Sequence, residues 1–179
     1  MVGQEIVELP SETVAVVRSV VPLGGLSAFF GEAYGRVAGA VPAAGGRITG
    51  PPFAWYHGMP GETVDVSAGF AVAGDVHVPD GGVHVLERPG GRALVTVHAG
   101  PYDGLGGAWA ELASAVVARG WQGRDDFWEE YLTEPTGDPT GKQTRRQSGE
   151  QPIDRTRARA VQPLTRLPDG SELELPWLS

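Results

Sequence analysis

The sequence predicts an α+β fold made of two tandem, pseudo-symmetric β-β-α-β-β repeats, with an antiparallel sheet and the two main helices on one face. Two observations support this prediction: an internal repeat, and the same order of strand and helix patterns in each half. Sliding the 179-residue chain by 79 residues keeps one unbroken offset over more than thirty residues, with identical or similar residues aligned at intervals along it. The aligned pairs include Pro22 with Pro101, Leu26 with Leu105, Phe30 with Trp109, and Glu32 with Glu111.

Two strands are predicted before the helix of each half. The first, at 4–9 and again at 83–88, ends at a proline, which cannot donate a hydrogen bond to a neighbouring strand. The second, at 13–20 and again at 92–99, is rich in valine and partly alternates between apolar and polar residues. Each half therefore begins with a strand pair.

A regular apolar spacing predicts the helix of each half, because residues at i, i+4, i+7 and i+11 share one helical face. In the second half, Asp103 is a suitable N-cap and Gly120 a suitable end. The stripe there is Leu105, Trp109, Leu112 and Val116. The corresponding stripe in the first half is Leu26, Phe30, Ala33 and Val37. We expect both stripes to pack on the sheet.

Two further strands follow each helix. In the first half they are predicted at 52–57 and 63–72, and in the second half at 126–133 and 171–176. Between the last two lies a segment, 135–168, rich in Pro, Gly, Thr, Gln and Arg, which we expect to be mostly loop.

We expect one domain, 1–179, divided into halves 1–79 and 80–179, with a flexible basic insertion at about 137–168. That insertion holds seven Lys and Arg against three Asp and Glu. A nucleic-acid-binding arm is one interpretation of such a stretch. The absence of aromatic residues and of helical periodicity favours a solvated, flexible loop instead.

Composition excludes several classes of function. The net charge is −8, and residues outside the insertion hold nineteen acidic against seven basic side chains, so direct nucleic-acid binding is not expected. No run of about 18 apolar residues and no secretion signal is present, which predicts a cytoplasmic protein without membrane contact. There is no cysteine, and the four histidines lack metal-binding spacing. We therefore expect no metal and no cofactor, and the oligomeric state stays open.

Several ordered motifs resemble the GyrI-like small-molecule-binding domain family. The resemblance covers nearly the whole chain except 137–170. The motifs, in chain order, are Gly50-Pro51-Pro52-Phe53-Ala54-Trp55-Tyr56-His57, Val64-Asp65-Val66-Ser67-Ala68-Gly69-Phe70, His98-Ala99-Gly100-Pro101-Tyr102, Trp128-Glu129-Glu130-Tyr131-Leu132-Thr133-Glu134-Pro135 and Ser171-Glu172-Leu173-Glu174-Leu175-Pro176.

The resemblance implies a ligand cleft at the pseudo-twofold junction of the halves, among aromatic rings and near a buried glutamate. Such domains are effector-binding modules of multidrug-responsive transcription activators, and also occur as stand-alone ligand-binding proteins. Some stand-alone members hydrolyse cyclopropane-bearing, DNA-alkylating natural products. This chain differs in its long basic insertion and in lacking a DNA-binding segment, which counts against a direct role in transcription.

Glu129 and Tyr131 are the strongest candidate site residues. Residues two apart in a strand point to the same face, so this carboxylate and phenol would share one surface. In the repeat, Tyr56 corresponds to Tyr131 and Ala54 to Glu129, so the acid is present in one half only. That asymmetry favours a role in the site, and an exposed acid at a strand edge is the alternative.

A buried carboxylate without a partner is costly, and a bound cation or a tyrosine hydrogen bond relieves that cost. Flat aromatic walls would add stacking and cation–π attraction. For Trp55, Trp109 and Tyr131, packing in the core is the alternative interpretation. The candidate ligand-binding residues are Phe53, Trp55, Tyr56, Tyr102, Trp109, Glu129 and Tyr131.

Three functions follow as hypotheses. The first is a stand-alone protein that binds a flat, hydrophobic small molecule, cationic or neutral, for drug resistance or sequestration. The second is a hydrolase that opens the cyclopropane ring of alkylating natural products, with Glu129 as base and Tyr131, Tyr56 or a second acid as proton donor. The third is a protein-binding inhibitor module that acts through its acidic surface.

Overall fold

A computed structural model describes residues 3–79, 81–100, 104–132 and 156–166. In these residues it contains ten strands and two α-helices. In chain order they are β1 (Glu5–Leu9), β2 (Glu12–Pro22), α1 (Leu26–Ala43), β3 (Arg47–Ile48), β4 (Phe53–Tyr56), β5 (Thr63–Ala73), β6 (His84–Arg88), β7 (Gly91–Gly100), α2 (Leu105–Ala118), β8 (Trp121–Gly123), β9 (Phe127–Tyr131) and β10 (Thr156–Arg166). The predicted α+β class and antiparallel sheet are confirmed.

The sheet repeats its own order about its centre. The strands run β1-β7-β10-β9-β4-β5-β2-β6, with β3 beside β5 and β8 beside β10. Read from either edge, each strand of one half occupies the place of its counterpart in the other half. The two halves therefore meet along the pair β4 and β9, which is antiparallel.

The pseudo-twofold axis passes between Ala54 and Glu129. In the register of β4 and β9, Ala54 lies directly opposite Glu129. In these strands the offset between the halves is 75 residues rather than 79, which makes the same two residues counterparts and pairs Tyr56 with Tyr131. A residue that faces its own counterpart across antiparallel strands lies on the symmetry axis of the pair. The candidate site residue Glu129 thus lies on this axis.

Both helices use the predicted apolar stripes. The buried residues of α1 include Ala33 and Val37, and those of α2 include Leu105, Leu112 and Val116. The chain leaves the two helices through glycines with positive φ, 80° at residue 45 and 74° at residue 120, a conformation that favours glycine. Residue 104 takes the N-cap position of α2, and the predicted cap at 103 lies outside the described residues. No helix in the described ranges is long and apolar enough to span a membrane.

The central strands bury side chains on both faces of the sheet. On the helix face, Ala54 and Tyr56 pack with residues of α1 and β5. On the opposite face, Phe53, Trp55 and Trp128 form a second core, to which the curled sheet adds side chains from β2, β7 and β10. This alternation decides which aromatic residues can reach a cavity beside the helices.

The loop prediction is wrong for residues 156–166, which form β10. This strand lies between β7 and β9, so its backbone is paired on both sides. Its buried Ala158 and Ala160 lie flat against the core, while Arg159 points to the other face and pairs with Glu130. The rest of the predicted insertion, and the strand predicted at 171–176, lie outside the described residues.

Candidate functional site

The Glu129 carboxylate lies inside the protein and accepts hydrogen bonds from three neutral side chains. The residue is 6% exposed. The Trp109 indole Nε1 donates to Glu129 Oε1 at 2.7 Å, and the Tyr131 hydroxyl donates to Oε2 at 2.7 Å. Tyr56 contributes a third side-chain hydrogen bond. Three separate elements, α2, β4 and β9, therefore hold this one carboxyl group.

Burial raises the pKa of Glu129, and its hydrogen bonds with Tyr131, Trp109 and Tyr56 oppose the shift without cancelling it. Among the ion pairs within the described residues, none includes Glu129. The carboxylate is thus stabilised by dipoles only. A cationic ligand that contacted this carboxylate would therefore meet a negative charge that no cationic side chain of the described residues neutralises.

The Tyr131 phenol remains protonated at this site. Burial raises its pKa above the ordinary value, and the neighbouring charge of Glu129 adds to the shift. A tyrosinate beside a carboxylate would place two negative charges together in a poorly solvated place. Tyr131 therefore acts as a fixed hydrogen-bond donor that orients the carboxylate.

A cavity of about 830 Å³ opens next to Glu129. Its walls come from α2, from β8 and the segment that follows it, from β9 and β10, and, in the first half, from α1, β4 and the loop after β4. Along α2 the helix surface is formed by small and apolar residues, among them Ala110, Ala113 and Val117. The cavity is therefore largely apolar, with the carboxyl group of Glu129 in its wall.

Three aromatic rings surround the carboxylate. The rings of Tyr56 and Phe127 are stacked, with centroids 5.0 Å apart and an interplanar angle of 18°. Trp109 meets Phe127 edge-on, at 4.9 Å and 63°. All three residues line the cavity together with Glu129. The arrangement presents flat apolar surface beside a negative charge.

The predicted site residues are only partly brought together. Tyr56, Trp109 and Glu129 line the cavity, and Tyr131 contacts Glu129 without lining it. Phe53 and Trp55 do not line this cavity, because the strand alternation places them on the opposite face of the sheet, in the second core. The remaining candidate, Tyr102, lies outside the described residues.

Polar side chains also line the cavity, and the basic group among them, Arg124, is already paired. Arg124 lines the cavity and forms a two-point ion pair with Asp126, in which Nη2 lies 2.8 Å from Oδ2. His57 also lines the cavity, hydrogen-bonds Ser67 at 2.7 Å through Nε2, and has its pKa lowered by burial. The local charge facing the interior is accordingly negative.

On the opposite face of the sheet, Arg88 holds the two central strands together. Its guanidinium lies 4.5 Å from the Phe53 ring centroid and 4.3 Å from the Trp128 ring centroid. It also pairs with Glu12 and lies 3.6 Å from Glu130. These contacts hold β9, the strand that carries Glu129, in place. They do so on the face of the sheet that is turned away from the cavity.

Several lining residues were not predicted: Ala113, Phe127 and Gln162. The repeat contains a signal for Ala113, because the 79-residue offset aligns it with Tyr34, a much larger residue. Gln162 corresponds to Phe70 in the observed register. Phe70 pairs with Ala15, and Gln162 pairs with Leu94, the counterpart of Ala15. Since β10 was not predicted as a strand, this last correspondence could not be read from the sequence.

Comparison with known proteins supports the fold and the class of domain. A family described as the GyrI-like small molecule binding domain matches residues 4–143. No curated protein matches the chain. The matched range ends before β10, although that strand lies in the middle of the sheet.

Solved structures with a similar fold include three of particular interest. The EcmrR C-terminal domain has 21% identity and a TM-score of 0.71, and the match covers 93% of this chain and 99% of that one. A hydrolase from Listeria innocua has 14% identity and a TM-score of 0.57, with 90% and 91% covered. SAV2435 bound to tetraphenylphosphonium has 8% identity and a TM-score of 0.57, with 91% and 94% covered. At these identities the likeness concerns the fold alone.

Proposed function

Because the chain belongs to the GyrI-like small molecule binding domain family, we propose that it binds a flat, hydrophobic, cationic small molecule in the cavity beside α2. Glu129 supplies the counter-charge, and Tyr56, Trp109 and Phe127 supply the aromatic contacts. The biological purpose that fits such binding is sequestration of a drug or natural product, and hence resistance to it.

The buried Glu129 carboxylate, held by neutral donors alone, is the observation that carries this proposal. Keeping a charge in a poorly solvated place costs free energy, and a cation in contact with it returns part of that cost. A neutral ligand of the same shape returns none of it. The site is therefore expected to discriminate by charge as well as by shape.

The size and lining of the cavity suit a ligand with several fused rings. Its volume, about 830 Å³, lies within the usual range for small-molecule sites. Each aromatic contact with a cation or a flat ring contributes on the order of 1 kcal/mol. SAV2435, which shares the fold, is bound to the lipophilic cation tetraphenylphosphonium, and this is in keeping with the proposal.

The geometry favours binding over hydrolysis, the main alternative. The Glu129 carboxylate has about four lone-pair sites, and its hydrogen bonds from Trp109, Tyr131 and Tyr56 leave few of them for taking a proton from water. A proton donor needs an accessible acid, whereas the pKa of Tyr131 is raised, which makes that phenol a weaker acid. The fold is shared with a hydrolase from Listeria innocua, so turnover is worth testing directly.

The test compares N-methylacridinium, a flat cation, with acridine, which has the same three rings and is neutral at pH 8. We expect the protein to prefer the cation by about 30-fold or more, as for a buried charge pair worth about 2 kcal/mol. Titration by fluorescence or calorimetry gives both dissociation constants.

Glu129→Gln should abolish the preference for the cation and leave the affinity for acridine unchanged. The matched control is Glu111→Gln, which removes an exposed carboxylate from α2 and should change neither affinity. Equal affinity of the unmodified protein for the two compounds would refute Glu129 as a counter-charge. Formation of a hydrated product from a spirocyclopropyl compound, lost in Glu129→Gln, would establish the hydrolase instead.

A further inference from the structure

Gln162 is a second polar group in the same cavity. It lies in β10 and lines the cavity together with Glu129 and Phe127. Ala160 lies directly opposite Glu129, and Gln162 follows two residues later on the same face of the sheet. Such diagonal neighbours on adjacent strands are separated by about 7–8 Å. A ligand with three fused rings spans that separation.

The amide of Gln162 has a fixed orientation. Its Nε2 donates to the backbone oxygen of Arg124 at 3.1 Å and to that of Pro163 at 3.0 Å. Both neighbouring groups are carbonyl oxygens, so the amide nitrogen must be the atom that faces them. The amide oxygen in that position would be repelled by the two carbonyl oxygens. Within the described residues no donor is paired with Oε1, so both donor hydrogens are used while the acceptor is free.

Gly123 makes room for this amide. A Cβ atom at Gly123 would come within 2.9 Å of Gln162 Nε2 and 3.0 Å of its Cδ. A larger residue at this position would displace the end of the Gln162 side chain, which glycine leaves in place. The counterpart of Gln162 in the first half, Phe70, has no polar group at all. The amide is thus specific to the second half, which supplies most of the residues that line the cavity.

We propose that Gln162 Oε1 accepts a hydrogen bond from the ligand, which makes the site selective for hydrophobic cations that carry an N–H donor at the end remote from Glu129. This inference rests on the proposed function, since it assigns a second contact within the same site. The ligand class is accordingly a flat aromatic cation with an amino group, such as an amino-substituted dye or alkaloid.

Two rhodamines test this selectivity. Rhodamine 123 carries amino groups, and tetramethylrhodamine methyl ester has the same ring system and charge but no N–H donor. We expect Gln162→Met, which keeps the length and removes the acceptor, to weaken rhodamine 123 binding about three- to tenfold. Binding of the tetramethyl compound should change less than twofold. Fluorescence anisotropy measures both.

Gly123→Ala offers a second route to the same result, because the added methyl displaces the amide while Gln162 itself is retained. We expect the same selective loss for rhodamine 123. Gln4→Met, at a position that does not line the cavity, is the control and should affect neither dye. An equal effect of Gln162→Met on both dyes, or none on either, would overturn the assignment of Gln162. Failure of both dyes to bind the unmodified protein would instead refute the proposed function.

Discussion

The two halves of the molecule share a backbone plan but differ in what fills the space beside the helix. In the first half, Tyr34 stacks on Phe30 at 5.9 Å and meets Phe70 edge-on at 5.7 Å, so the space is occupied by rings. In the second half the counterparts of Tyr34 and Phe70 are Ala113 and Gln162, and a cavity of about 830 Å³ is present. One half has packed rings where the other has a cavity.

The halves differ in charge at the same place. Glu129 and its counterpart Ala54 face each other across the axis, and both are buried. Cross-strand neighbours of this kind have Cβ atoms about 5 Å apart, so two carboxylates would repel strongly. The presence of the acid in one half only is therefore also a condition for stability, in addition to any role in binding.

The largest effect on stability is expected from placing a second carboxylate opposite Glu129, on the pseudo-twofold axis. Ala54→Glu should lower the free energy of unfolding at pH 7 by about 4 kcal/mol, because it adds an uncompensated buried charge next to Glu129. Urea denaturation measures the change. Ala54→Gln has nearly the same volume without the charge, and the difference between the two variants should shrink as the pH falls. A constant difference at all pH values would show that charge is not the cause.

Creating a cavity beside α1 in the first half should lower the free energy of unfolding by less. Tyr34→Ala removes the ring that fills the space beside α1, and we expect a loss of about 2–3 kcal/mol in unfolding free energy, since the ring is half-buried. Tyr34→Phe removes the hydroxyl that donates to the Phe53 carbonyl oxygen at 3.0 Å and should cost only about 1 kcal/mol. Equal losses in the two variants would mean that the ring contributes little.

Filling the cavity beside α2 with a ring should make the second half resemble the packed first half, and should weaken ligand binding. Ala113→Tyr places the first-half residue in the cavity, and we expect N-methylacridinium to bind about 30-fold more weakly, which corresponds to loss of about 2 kcal/mol of ring contacts. Ser114→Tyr adds the same side chain to the exposed face of α2 and should leave binding intact. Unchanged binding in Ala113→Tyr would locate the ligand elsewhere.

The smallest effect is a pH dependence specific to the second half. Because the pKa of Glu129 is raised in the folded state, its contribution favours folding at low pH and is lost as the pH rises from about 4.5 through the folded-state pKa. The unfolding free energy of the protein relative to Glu129→Gln should fall by on the order of 1 kcal/mol over this window. Affinity for a cation should rise over the same window, because the carboxylate then carries its charge. If the difference in unfolding free energy between the two proteins did not change with pH, this would contradict the raised pKa of Glu129.

Most of the fold could be predicted because the sequence repeats itself and each stripe has a clear period. The strand β10 could not. Its residues 157–160 alternate between arginine and alanine, a pattern that carries little apolar signal. The strand is stable because β7 and β9 pair with both of its edges, a tertiary condition that its own composition does not express.

In the candidate site, the carboxylate and its phenol partner were easier to predict than the residues that line the cavity. The period of a strand places Glu129 and Tyr131 on one face, and the observed hydrogen bond between them agrees with that expectation. The same period places Phe53 and Trp55 away from Tyr56, a signal that was present in the sequence and outweighed by their aromatic character. Ala113 carries no such signal alone, because an empty space is visible only by comparison with Tyr34.

The position of Glu129 on the axis has a consequence for how such a site could arise. In a dimer of two identical short chains, the residue on the dyad must be the same in both copies, so an acid there would always meet another acid. Once the two copies are joined in one polypeptide, the two codons can diverge and a lone carboxylate becomes possible. Covalent fusion of the repeats therefore allows a lone carboxylate on the axis, where an unfused dimer would place two acids side by side.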